Sequence, residues 1–130
     1  MLITSGEENG VVAARYLVEN VSNISDTLQE HQFMVEFDLD GKNEFKTYEV
    51  GSAEFVSYIA GSTGFKNRGK NYWTDIVVLC KDICGVNLSI GYYDNETPQE
   101  YVNENDWLTI LKIVRKWLGQ ENLPRFLREE

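Results

Sequence analysis

Gly64-Phe-Lys-Asn-Arg-Gly69-Lys70 has the G-x-x-x-x-G-K spacing with which a glycine-rich loop cradles phosphates. That chemistry needs a strand delivering the loop, a helix N-terminus receiving the anion, and a Ser or Thr after the lysine for magnesium. Here Asn71 takes the Ser/Thr position and a short helix, not a strand, precedes the loop. A solvated loop is the expected reading, and Lys66, Arg68 and Lys70 form its basic patch, suited to an acidic rim or to charge balance.

Asp38-x-Asp40-Gly41-x-Asn43 opens like a calcium loop, but its glycine is at the fourth position and Glu49, at the twelfth, falls in a predicted strand. Asp38 with Asp40, or Glu100 with Glu104, could act as acid and base only in a desolvated pocket that separates their pKa values, and all four lie in strongly polar sequence. His31 is the only histidine and Cys80 and Cys84 the only cysteines, too few ligands for structural zinc. The two thiols read as buried small hydrophobes. The expectation is a protein with no catalytic residues, metal or cofactor, and not an enzyme.

What the residues offer instead is acid. Residues 30–54 carry seven carboxylates against Lys42 and Lys46, and residues 94–106 carry five with no Lys or Arg. Each segment sums to −5 within a chain of net charge −9. Such a field attracts basic partners and repels nucleic acid. Aromatic residues border the acids: Tyr48 near the first cluster, and Tyr92, Tyr93 and Tyr101 around the second. Rings inside an acidic border suit a protein interface, with rings supplying buried area and acids speeding and orienting docking. The expected partner-binding residues are Glu36, Asp38, Asp40, Glu44, Tyr48, Tyr93, Asp94, Glu96, Glu100, Tyr101 and Glu104.

The elements that would position these residues fit one domain of 130 residues. Apolar residues at 42% supply a core, and no apolar run approaches a membrane span. The N-terminus lacks the basic and apolar regions of a signal peptide, so a cytoplasmic protein without membrane association is expected. Ser5 and Glu8 form a capping box for a helix over residues 6–21. Residues 22–32 read as a polar connection with Leu28 turned inward. Phe33, Val35, Phe37 and Leu39 alternate with polar residues as a half-buried strand. Asp40-Gly41 then predicts a hairpin whose returning strand, 45–50, buries Phe45 through a glycine bulge.

Ser52 caps a predicted helix over 53–60 that Gly61 stops. Residues 74–84 combine a β-branched run with apolar residues at i, i+3, i+4 and i+7; the balance favours a helix over a strand. Val86, Leu88, Ile90 and Tyr92 predict a third strand. Asn105 or Asp106 caps a last helix with Trp107, Ile110, Leu111, Val114 and Leu118 inward and Gly119 as its stop. Leu123, Phe126 and Leu127 are expected to dock on the core. The fold class is α+β, a small antiparallel sheet of at least three strands with helices packed on one face.

Asp106-Trp-Leu-Thr-Ile-Leu-Lys-Ile-Val-Arg-Lys-Trp-Leu followed by Asn122-Leu-Pro124 resembles the closing helix and Leu-Pro tail of immunity proteins of bacterial polymorphic toxin systems. The resemblance is confined to this C-terminal part, and Leu127-Arg-Glu stands where a tryptophan often follows the proline. It implies a small cytoplasmic inhibitor that binds and blocks one basic toxin. Two other readings share the composition: a phage-type DNA mimic that inhibits a nucleic-acid-binding enzyme, and a dimeric acidic chaperone or adaptor. In all three the partner is a protein, with no direct binding of nucleic acid, and the oligomeric state stays open.

Overall fold

The computed structural model describes residues 1–3, 11–69 and 74–129. Its elements run α1 (Val12–Asn20), α2 (Ile24–Gln29), β1 (Met34–Leu39), β2 (Glu44–Lys46), α3 (Ala53–Thr63), β3 (Lys66–Asn67), α4 (Asp75–Leu79), β4 (Gly85–Ser89), β5 (Tyr92–Tyr93), β6 (Tyr101–Val102) and α5 (Glu104–Leu118). The α+β class with a small sheet is as expected. The Ser5–Glu8 capping box, Lys70 and Asn71 lie outside the described residues.

The predicted hairpin does not form. The four-stranded sheet has the order β1-β4-β2-β3 and is mixed: β4 lies between β1 and β2, parallel to the first and antiparallel to the second, and β3 runs parallel to β2. Asp40-Gly41 therefore does not turn β1 back on itself. Gly41, at φ 78°, carries the chain past the end of β4, donating to Tyr92 O at 2.7 Å and accepting from Gly91 N at 2.8 Å. Phe45 is nonetheless fully buried, because pairing opposite Leu88 turns it onto the same face. A two-stranded antiparallel ribbon, β5–β6, stands apart from this sheet.

Helices cover both faces of the sheet rather than one. Val86 and Leu88 of β4 point into the main core with Phe45, Phe55, Ile59, Ile110, Val114 and Trp117, so α3 and α5 pack there. On the opposite face α4 lies so close to β4 that a Cβ at Gly85 would meet Cys80 Sγ at 2.6 Å. Asn87 and Ser89 alternate with Val86 and Leu88, yet β4 is buried at every position. Their side chains serve the flanking strands. Asn87 Oδ1 accepts from Asp38 N at 2.9 Å where β1 bulges, and Ser89 Oγ accepts from Glu44 N at 3.0 Å.

Other boundaries move for local reasons. Ser52 caps α3 as predicted, its side chain accepting from Phe55 N at 3.1 Å. The helix runs through Gly61 to Thr63 and stops at Gly64, which takes the left-handed conformation (φ 75°) that a helix end favours. Residues 74–84 hold a helix as favoured, but only over Asp75–Leu79. The cap of α5 is Asn103, accepting from Asp106 N at 3.0 Å, and neither Asn105 nor Asp106.

Gln29 is a buried hub in the segment read as a polar connection. Its Oε1 accepts from Lys81 N, Asp82 N and Ile83 N, and its Nε2 donates to Leu79 O, satisfying the backbone that leaves α4. Leu28 packs inward as expected. In the tail, Phe126 does dock, with ring centroids 5.2 Å from Phe55 and 4.9 Å from Tyr58. Leu127 pairs with Ile83 through its backbone but leaves its side chain exposed. Cys80 and Cys84 are free and buried, as read, and burial pushes the Cys80 thiol up to about 12.

Candidate protein-docking face

The two acidic segments come together, and Tyr92 is where they meet. Its hydroxyl donates to Asp38 O at 3.1 Å. Burial raises the phenol to about 12, with Asp38, Asp40 and Glu100 adding to the shift. A second link is the Lys42 ammonium, 3.6 Å from Asp106. From the sequence Tyr92 is only a border residue, because nothing there signals that Gly41 and Gly91 pair. Those two glycines, both at positive φ, allow the approach.

The first segment is largely spent on the fold. Arg68, from the loop after β3, binds Asp40 and Glu44 together. Nη1 pairs with Asp40 Oδ1, Nη2 donates to Asp40 O at 2.6 Å and to Glu44 Oε1 at 3.3 Å, and Nε donates to Glu44 Oε2 at 3.1 Å. Burial alone would lower the guanidinium's hold on its proton, and the bonds to Glu44 and Asp40 more than offset it, so its pKa is raised. Glu36, expected on the outer surface, is half-buried and accepts from Thr74 Oγ1 at 2.7 Å, because its face of β1 lies beside the start of α4. Tyr48, expected as an exposed anchor, is 5% exposed. It packs on Val50, Ile76 and Cys80, and its hydroxyl accepts from Asn87 Nδ2 at 3.1 Å. Of this segment's expected residues, only Asp38 is fully on the surface.

The second segment is the reverse. Asp94, Glu96, Glu100, Tyr101 and Glu104 are all exposed. No ion pair reaches Asp94, Glu96, Glu100 or Glu104 among the described residues. The β5–β6 ribbon holds all of them but Glu104, which opens α5, in a defined arrangement. Asp94 and Glu96 take left-handed backbone, Glu100 Oε2 accepts from Glu96 N at 2.8 Å, and Thr97 N and Oγ1 both donate to Asp94 O. Tyr93 and Tyr101 lie ring against ring at 5.4 Å. The Tyr93 hydroxyl donates to Asp106 Oδ2 at 2.5 Å, fixing the ribbon to the first turn of α5. Burial, then that bond, pushes the Tyr93 phenol up to about 12.

Two clefts among the described residues lie elsewhere, between α1, α2 and α4. One of about 340 Å³ is lined by residues 18–26 apart from Ile24, and one of about 280 Å³ includes Arg15, Val77 and Lys81. Among the described residues no group of three or more His, Cys, Asp or Glu side chains is placed to hold a metal ion. No helix among them is long and apolar enough to cross a membrane. No protein family, curated protein or solved structure matches this chain.

Proposed function

We propose that this protein is a non-enzymatic acidic binding protein that docks on a basic protein and neutralises it, in the manner of an immunity protein covering a toxin. The observation that carries the reading is the set of four exposed carboxylates, three on the β5–β6 ribbon and Glu104 at the start of α5, none ion-paired among the described residues, with the exposed Tyr101 ring beside them. Clustered like charge on a pre-ordered loop speeds and orients encounter with a basic surface. An exposed aromatic beside it supplies contact area that excludes water once docked.

The test is capture from native lysate at low salt on immobilised protein, beside a variant carrying Asp94→Asn, Glu96→Gln, Glu100→Gln and Glu104→Gln. A single basic protein held by the native chain, released by salt and lost from the variant supports the reading. Equal retention by both proteins, or a set of nucleic-acid-binding proteins displaced by duplex DNA, refutes it.

A further inference from the structure

We infer that Arg68 is an internal cover: its guanidinium occupies the Asp40–Glu44 end of the acidic face in place of a partner's cation, and so restricts docking to the β5–β6 end. This rests on the docking role proposed above and concerns how that role is tuned.

The contact has the chemistry of arginine recognition. All three guanidinium nitrogens are engaged, by two carboxylates and one backbone carbonyl. A planar fork matched by several acceptors is what distinguishes an arginine site from a diffuse acidic patch. Gly41 makes the room. A Cβ there would lie 2.7 Å from Arg68 Nη2, so any larger residue would push the guanidinium out. The donor arrives on a slender support, because β3 is a two-residue strand at the edge of the sheet and both its residues are exposed.

The energetics allow the cover to be lifted. The three side chains keep 25%, 41% and 38% of their surface exposed (Arg68, Asp40 and Glu44), and a pair so wetted is held weakly. A partner's arginine that takes this place gains one pair and breaks another, so it gains little. A cation approaching Glu100 or Glu104 breaks no ion pair among the described residues. The cover therefore lowers affinity for cations in general and leaves the ribbon as the preferred seat. Its removal opens the covered end.

The experiment measures binding of a nine-residue arginine peptide at low salt to the native chain and three variants. Arg68→Gln opens the site. Lys66→Gln removes the same charge two positions earlier, in β3, at a residue with no ion pair among those described. Glu100→Gln with Glu104→Gln tests the ribbon. The expected result is that Arg68→Gln raises the association constant about fivefold, the order an exposed ion pair commands, and clearly more than Lys66→Gln. The peptide should then perturb the Gly41 amide in the nuclear magnetic resonance spectrum of Arg68→Gln but not of Lys66→Gln. Equal gains from the two variants, with Gly41 unmoved, overturn the cover while leaving the docking face standing. Undiminished binding by the Glu100/Glu104 variant, in contrast, removes the docking face itself. Unchanged thermal midpoints for Arg68→Gln and Lys66→Gln keep the comparison to binding alone.

Discussion

Residues 36–44 and residues 94–104 are alike in composition and opposite in use. Both are rich in acid, and both carry tyrosine within or just beyond them. In the first, Glu36 is bonded to Thr74, Asp40 and Glu44 to Arg68, and the neighbouring Tyr48 is buried beneath α4. In the second, the carboxylates stand in water on a ribbon fastened by Tyr93 to Asp106. Formal charge counts acids; it does not count the cations that the fold brings to them. Available charge is set by topology, here by one short edge strand that delivers Arg68.

The largest break in that comparison should come from charge. Neutralising Glu96 and Glu100 is expected to weaken binding of the captured basic partner about tenfold, read by calorimetry. Neutralising Asp40 and Glu44, an equal change in net charge, should weaken it only about twofold because those acids are already paired. Equal losses would erase the distinction between the two regions.

The aromatics sharpen it next. Tyr48→Phe should cost about 1 kcal/mol of stability by leaving Asn87 short of a hydrogen bond, with affinity unchanged. Tyr101→Ala should do the opposite, leaving the thermal midpoint in place while lowering affinity several-fold. Asn103→Ala removes the cap of α5 and should cost about 1 kcal/mol in chemical denaturation.

The smallest effect concerns alkaline pH. Tyr92 and Tyr93 are raised to about 12, so the fold favours their neutral form. Their contribution to stability is complete below the unfolded phenol value near 10 and is lost as pH climbs from there through about 12. An ultraviolet titration should find Tyr92 and Tyr93 ionising late, and Tyr93→Phe should remove one late-ionising group.

Much of the local structure was legible. The Ser52 cap, the burial of Phe45 and Phe55, the docking of Phe126, the stop at Gly119 and the buried thiols all follow from residue type and spacing. The illegible parts are those in which a residue's environment is supplied from far along the chain. Asn87 and Ser89 look like the wet face of a strand until β4 is known to be central, with backbone donors on either side for their oxygens. Gln29 looks like linker because its partners lie about fifty positions away. The burial of Tyr48 and Glu36 is not legible because the cover they share, α4, is only five residues long. In the proposed docking face, the exposure of Asp94, Glu96, Glu100 and Glu104 agrees with their clustering without cations in the sequence. The covered half was readable only as a basic patch suited to an acidic rim; which acids Arg68 meets was not, because it sits 24 and 28 positions from them.

The most direct test is the association rate of the captured partner as a function of ionic strength, for the native chain and for the variant neutralised at Asp94, Glu96, Glu100 and Glu104. The native rate should fall steeply with added salt, while the variant should start slower and vary little with salt. Superimposable curves would contradict the claim that the ribbon's carboxylates guide docking.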